Sequence, residues 1–535
     1  MRLTASLAPR AGAVTATLGA VAAFALLAAP AGGAPPSAAR SGALASASGL
    51  YISGAGYGHG VGMSQYGAAG YALHGASYRQ ILLDYYSQTA IGQVSPRHTV
   101  TVLLRPAGIP QFSGATRIRG STRALSAGVV YEVQLAGPKL RLIAGGRTVG
   151  VFAAPLAVSG RGPLNLVGQG RYDGALVFRP SARGQGVMTV NAVALDAYVR
   201  GVVAAEMPSD WPAQALEAQA VAARSYAFAS RPVSPYFDLY DNTRSQMYGG
   251  VTAQTRATDA AVAATSGQVV EFDGIPVVTY FFSSSGGETE SVQNVFSLAP
   301  EPWLVGRPDP YDDSLGNPYY RWKLHLTLPA ARARLGHLVK GALRGIRVLQ
   351  RGVSPRIVRA QVVGTSGSSL VSGLRLWKLL QTPSSWMAFT TVTTRGVITS
   401  AAPFPQPAPA ATPPPAAPTS TSTSSTTTTT TTTPATGGGG LAQVKAEQAA
   451  SAITGATSAI ARSRARSRRR IVIAGSVFPA HPGARVQIQH RAGGSWATVS
   501  MVKLSSSGHY AARVARPGSY RIRYQGISGP AVTVR

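Results

Sequence analysis

Leu195-Asp196-Ala197-Tyr198-Val199-Arg200-Gly201-Val202-Val203-Ala204-Ala205-Glu206-Met207-Pro208 runs through Ser209-Asp210-Trp211-Pro212 into an alanine-rich stretch that reaches Ser230. Residues 212–230 read as the strongest helix of the chain. Pro212 suits a first turn, Asp210 or Ser209 can cap it, and Leu216, Ala220, Ala223 and Ala227 line one face. Glu206 stands between an apolar run and that helix. A carboxyl among apolar neighbours has its pKa raised, which suits a general acid. The same position also lets it neutralise the N-terminus of the next helix. Spacing alone leaves both roles open. Glu217 and Arg224, two turns apart, read as a structural ion pair.

Three further segments are rich in hydrogen-bonding groups. Gly58-His59-Gly60-Val61-Gly62-Met63-Ser64-Gln65-Tyr66-Gly67-Ala68 threads polar side chains through four glycines in its first ten residues. It is either the wall of a polar cleft or a glycine-rich surface loop. Residues 240–250 form a polar loop holding Gln246 and Tyr248. Ser283-Ser284-Ser285-Gly286-Gly287-Glu288-Thr289-Glu290 is either a site loop or an ordinary turn with a helix cap. The chain shows no convincing Gly-x-Ser-x-Gly elbow, no His-Glu-x-x-His helix and no phosphate loop ending in Gly-Lys-Ser/Thr.

Composition narrows the partners. The chain has 535 residues, 45% hydrophobic, with 50 basic against 19 acidic side chains and a net charge of +31. That balance favours polyanions. Arg2 and Arg10 precede an apolar run over 11–29, and small residues follow to Ala34. Residues 1–34 therefore read as a secretory signal, with a membrane anchor as the alternative. The N-terminus argues against nucleic acid as the partner, and an exported basic protein, secreted to the cell wall or outside the cell, meets anionic wall polymers, anionic lipids or extracellular DNA. With no cysteine, neither a disulfide nor a thiolate metal site can form. Fifteen of the 19 acidic residues lie between Asp196 and Asp313, a concentration that suggests placement.

The expected organisation is α+β. After the signal, residues 35–49 read as a tether and 50–400 as a mixed domain. That domain has a short helix at 77–86, a β-rich insertion over 100–190, and candidate strands at 267–272, 277–283, 346–353 and 356–364. Residues 401–440 are a Pro/Thr/Gly-rich linker. Residues 441–470 read as a basic helical segment ending in an arginine run, either an anchor to anionic wall polymer or lipid headgroups or a solvated charged linker. Residues 471–535 alternate like a small sandwich of immunoglobulin or fibronectin type.

Together, residues 195–208, 211–227, 245–250, 283–290 and 58–68 resemble the SpoIID/LytB family of bacterial peptidoglycan proteins, over roughly residues 50–395. In the usual family order the Gly-His-Gly-Val-Gly-Met-Ser-Gln segment closes the domain. Here it opens it, so the resemblance implies a circularly permuted chain. Some members bind zinc through a His and a Cys just before the Gln-x-Tyr. Arg244 and Ser245 stand there, so no metal or other cofactor is expected. The resemblance implies a lytic transglycosylase acting on peptide-stripped glycan strands, with Glu206 as acid and then base. It implies His59, Ser64, Gln65, Gln246, Tyr248, Ser284 and Ser285 as groups gripping sugar, and Arg224 as an orienting or carboxylate-binding group. The alternative it carries is a non-catalytic glycan-binding enhancer of a cell-wall amidase. A third possibility is a basic wall-anchoring scaffold.

Overall fold

The computed structural model describes residues 45–182, 184–399, 470–481 and 483–535. The expected signal, most of the tether, the linker and the basic segment lie outside the described residues. The fold is α+β and rich in strands.

Four helices organise the largest core: α1 (Gln65–Leu73), α2 (Tyr78–Tyr85), α3 (Leu195–Glu206) and α4 (Ala213–Ala229). Helix α4 is its axis. Ala218, Ala220, Ala222 and Ala223 are fully buried, so the alanines face packing on several sides rather than one. Their small side chains let α1, α2, α3 and the strand Gln268–Phe272 close around the helix. Helix α4 is not capped by Ser209 or Asp210. Pro212 occupies the cap position, and its carbonyl accepts the Ala215 and Leu216 amides. Helix α2 matches its expected span and starts with a reciprocal box between Ser77 and Gln80. Helix α3 buries Leu195, Tyr198, Val199, Val202 and Val203, the apolar run before Glu206.

The β-rich insertion forms two six-stranded sheets. The strand Val187–Ala194 pairs with Ala175–Pro180 and Thr99–Arg105, then passes directly into α3. This fixes where α3 begins. The expected strand at 277–283 shrinks to Phe281–Phe282, which runs parallel to Met63–Ser64. Other groups take the backbone bonds there: the Tyr280 carbonyl accepts from Tyr86 Oη and the Met63 amide, and Val278 O from Trp303 Nε1.

A second core lies under a sheet in which Ala45–Gly54 is flanked by Trp322–Thr327 and Met387–Thr399, both antiparallel. Residues 45–49, read above as the end of the tether, are therefore strand. On its far edge Met387–Thr399 pairs with Arg470–Phe478. Alternation along this strand sends Met387 and Phe389 into the second core and Val392 into a third, with Ile473, Val477 and Ile522. The C-terminal residues thus share a sheet with the preceding region. A second sheet, built around Arg485–Ala492, Ser495–Lys503 and Gly518–Tyr524, covers it.

Because this sheet is continuous, Ile473→Ala is expected to cost about 2–5 kcal/mol. Urea unfolding of a Trp496→Phe background, in which all remaining tryptophans precede residue 400, should show the transition moving to lower urea. An unmoved transition would mean that the two regions unfold separately.

Candidate functional site

Glu206 is the last residue of α3 and is partly exposed. Its Oε1 accepts the Met247 amide at 2.7 Å, and Gln65 Nε2 donates to its main-chain carbonyl at 3.3 Å. Burial raises the carboxyl pKa, an effect partly offset by the Met247 amide and the Gln65 side chain. The C-terminal end of α3 also presents partial negative charge, which disfavours the ionised form in the same direction. Glu206 forms no ion pair among the described residues. Its carboxylate does not cap α4, whose N-terminal amides turn to Pro212.

Aromatic rings lead away from this carboxyl. Tyr226 of α4 is close enough for Glu206 to raise its pKa, after larger effects from burial and Tyr280; its hydroxyl is pushed up to about 12 and stays protonated. The Tyr226 and Tyr280 rings are 5.9 Å apart, Tyr280 and Phe296 4.9 Å, and Phe296 and His59 5.2 Å. Tyr66, next to Gln65, meets Trp211 edge-on at 4.9 Å. Burial, then Arg356, pushes the His59 pKa down to about 3, so the imidazole is neutral. Its Nδ1 accepts the Val61 amide at 3.1 Å. The result is an acid at one point of a partly open aromatic wall, with neutral hydroxyl groups near it.

The structure brings Glu206 and Gln65 into contact and joins His59 to them through Tyr280 and Tyr226. The remaining candidates lie beneath the surface. Ser64, Ser284 and Ser285 are buried around Asp312. Asp312 accepts the Ser64 hydroxyl at 2.6 Å, the Ser284 hydroxyl at 2.8 Å, the Ser285 and Gly286 amides at 3.0 and 2.9 Å, and Asn317 Nδ2 at 3.0 Å. These serines hold two chain segments together. Gln246 Nε2 is spent on Tyr198 Oη and the Ala223 carbonyl, and Tyr248 Oη on Asn191. Arg224 is fully buried and pairs with Asp196 at 2.6 Å, not with Glu217. Seven residues of helix place Arg224 and Glu217 too far apart for a direct pair, which needs a spacing of three or four. Arg224 also donates to the Gln268 carbonyl at 3.0 Å, tying α4 to α3 and to the strand Gln268–Phe272.

The glycine-rich segment is neither an open wall nor a surface loop; Val61, Met63 and Ser64 are fully buried. It runs against residues 280–290, exchanging Tyr57–Ser284 backbone bonds and taking the Glu290 amide on the Gly60 carbonyl at 2.7 Å. Glycine is required where the approach is closest. At Gly62 (φ +76°) a Cβ would sit 2.0 Å from the Tyr280 carbonyl, and at Gly60 (φ +90°) 2.4 Å from Arg356 Nε.

Residues without a local sequence signal complete the support. Arg356 is buried, donates to the Glu288 and Ser285 carbonyls at 2.7 and 2.8 Å, and has its pKa lowered to about 10 by burial. Asp309 is buried beside Tyr85 Oη, at 2.9 Å, with its Oδ2 unpartnered. Burial, then Asp312, raises its pKa to about 7. Tyr226 lies inside the alanine-rich helix, but nothing in its spacing separates it from core aromatics.

The residues at the family's zinc positions do not suit the ion. The Arg244 guanidinium lies 3.5 Å over the Tyr240 ring, and the Ser245 hydroxyl accepts the Tyr240 amide at 3.1 Å. A guanidinium has no lone pair to offer a cation.

Comparison with known proteins places family similarity in the region that holds Glu206. Residues 183–272, which hold Glu206, Tyr226 and Met247, match the family described as stage II sporulation protein. Stage II sporulation protein D of Bacillus subtilis (strain 168) is 31% identical over 172 residues, 29% of this chain and 49% of that protein. The amidase enhancer of the same organism is 34% identical over 129 residues, 24% of this chain and 17% of that protein. An uncharacterized protein of Brachyspira hyodysenteriae is 35% identical over 161 residues, 30% of this chain and 43% of that protein. The chain spans less than half the length of each of these relatives. Residues 183–272 are thus a SpoIID-family region within this chain.

Two measurements test the buried support. Asp312→Ala removes the acceptor of two hydroxyls, two main-chain amides and the Asn317 side-chain amide, and should cost at least about 3 kcal/mol in urea unfolding. Asp309 bears on pH. Its folded pKa lies above its unfolded one, so its contribution is fully present below the unfolded value and is lost as pH rises toward about 7. Asp309→Asn should flatten the fall in Tm between about pH 4 and 7; an unchanged Tm–pH curve would contradict the burial of that carboxyl.

Proposed function

We propose that this protein is an exported peptidoglycan-remodelling enzyme, a lytic transglycosylase of peptide-stripped glycan strands. One observation carries the reading: a single carboxyl group, Glu206, is biased toward its protonated form and stands at an aromatic wall without a charged partner. Aromatic rings offer flat apolar surface for sugar faces, and protonated hydroxyl groups can bond their polar edges. Glu206 protonates the glycosidic oxygen between N-acetylmuramic acid and N-acetylglucosamine, and the bond to C1 of the muramoyl residue breaks. The resulting carboxylate accepts the proton of the muramoyl 6-hydroxyl as that oxygen closes on C1. The product is a 1,6-anhydro end and no water is consumed. One carboxyl group suffices, unlike the two-carboxylate hydrolases. The Met247 amide stabilises the carboxylate between the two proton transfers.

The permuted order fits this reading. Gly54 and Met387 are register partners, so the two ends of the region lie side by side, as a permuted chain requires. No metal enters the reaction. No helix among the described residues is long and apolar enough to cross a membrane. The basic surplus suits anionic wall polymers as a second partner.

The similarity to an amidase enhancer favours one other reading, in which the same groove binds glycan and activates a cell-wall amidase without turnover. The two separate on Glu206. Incubated with peptide-free glycan strands, the wild type should release anhydro-muramoyl ends detectable by mass spectrometry. Glu206→Gln should lower the rate about 10²–10⁴-fold. With general acid chemistry, the rate should also fall as pH rises through the elevated Glu206 pKa. Glycan binding by both proteins without any anhydro ends would favour the enhancer.

A further inference from the structure

Where the strands Ala45–Gly54 and Met387–Thr399 meet Arg321 and the end of the strand Leu343–Arg351, they leave a cleft of about 400 Å³ that does not include Glu206. Ser53, Gly54 and Met387 line it beside Arg321, Arg351 and Trp386. Its volume is that of a small-ligand cleft. The two arginines have no carboxylate partner. Arg321 Nη1 donates to the Gly286 and Tyr320 carbonyls at 2.8 and 2.7 Å, and Arg351 to the Met387 carbonyl at 3.0 Å and to that of Pro355. The ion pairs among the described residues are Arg224–Asp196 and Arg307–Asp84, neither of them here.

The indole of Trp386 stands among these charges. The Arg321 guanidinium lies 5.6 Å from its ring centroid, and that of buried Arg356 also 5.6 Å. Arg356 is compensated by Glu290, Asp312, Glu288 and Asp309, whereas Arg321 and Arg351 are not. Carbonyl bonds orient both guanidinium groups while leaving further N–H donors for a ligand. Two oriented cations beside a flat ring form a receptor for a negatively charged group carried on a ring with an apolar face.

We propose that this cleft binds a carboxylated sugar, with its pyranose face on Trp386 and its carboxylate on Arg321 and Arg351. This deepens the glycan reading of the Glu206 groove and rests on it for the identity of the sugar. Arg321 is bonded to Gly286, in the same 283–290 loop that packs on the Ser64–Gln65 segment beside Glu206. One glycan strand running along that loop would meet both places. A muramoyl residue stripped of its peptide has a free lactyl carboxylate; in a peptide-bearing residue that group is a neutral amide. The cleft would therefore favour stripped strands by charge.

The test uses the full chain labelled with 5-fluorotryptophan. Its six tryptophans give six fluorine resonances, and Trp386→Phe assigns one of them. N-acetylmuramic acid should shift the Trp386 line, and N-acetylglucosamine, which lacks the lactyl group, should not at the same concentration. Arg321→Ala/Arg351→Ala should weaken the response about tenfold. The other five lines report whether that variant is folded. If it is not, Arg321→Lys/Arg351→Lys retains the charge and should keep a reduced shift. Equal shifts with both sugars, no shift at Trp386, or full response in the alanine variant would overturn the proposal. Glu206→Gln must keep the shift. A normal shift in a protein that never cleaves glycan would leave the cleft standing and remove only the transglycosylase reading.

Discussion

The buried carboxylate of Asp312 is the constraint on which the site depends. It accepts from Ser64 and, 27 and 26 residues upstream of itself, from the amides of Ser285 and Gly286. Each of these groups is inside the protein, where an unmet donor costs about 1–3 kcal/mol. A single acceptor with several lone pairs therefore decides that residues 63–66 and 283–286 run side by side. The Ser64 hydroxyl also caps α1 through the Gly67 amide at 3.2 Å. Gln65, the next residue, is thereby aimed at Glu206. The position of the residue that bonds Glu206 is thus set by a buried carboxylate remote from it in sequence.

Glu206 itself is held from the other direction. Strand Val187–Ala194 runs without a loop into α3, and α3 ends at Glu206, so the sheet register fixes the acid along the helix axis. Arg224 and Asp196 lock the start of α3 to α4, and the Met247 amide receives the carboxylate at the other end. Ion pairs inside proteins are expensive to form and more expensive to break. Here the pair joins three elements at a point where all three must agree for Glu206 to face the aromatic wall. The same framework leaves Glu206 partly exposed at the end of α3.

What could be read from the sequence follows from whether a signal was local. Helices α2 and α4 announced themselves through apolar spacing and punctuation, and the strands of 343–364 through alternation. Glu206 follows Val202-Val203-Ala204-Ala205, and that local pattern leaves both a general acid and a helix-neutralising carboxylate open. The stretch at 277–283 misled because Val-Val-Thr-Tyr-Phe-Phe has strand composition. Its backbone instead bonds to Tyr86, Trp303 and the glycine segment, none of which is near in sequence. The family resemblance implies Ser64, Ser284, Ser285, Gln246 and Tyr248 as sugar ligands, and the structure buries all five. Hydrogen-bonding type does not encode exposure, and the partner that consumes Ser64 lies 248 residues away. The chain order adds to this: an element that opens the region packs against one near its end.

The burial of acidic residues changes what the charge means. Asp309, Asp312 and Glu290 are at most 1% exposed, each occupied with internal donors or hidden beside them. The few carboxylates of a chain with net charge +31 are thus partly withdrawn from its surface. Lysine and arginine heads mostly remain outside, so the field felt by an approaching partner is more positive than the residue count indicates. No acidic residue occurs after Glu447. A surface of this kind attracts any polyanion, and attraction alone does not select one. Selection has to come from places where the charge is oriented and paired with shape, and in this protein those places border the 283–290 loop. In the proposed function the general field brings a charged strand near, and the neutral aromatic wall at Glu206 acts on a part of it that bears no charge at all.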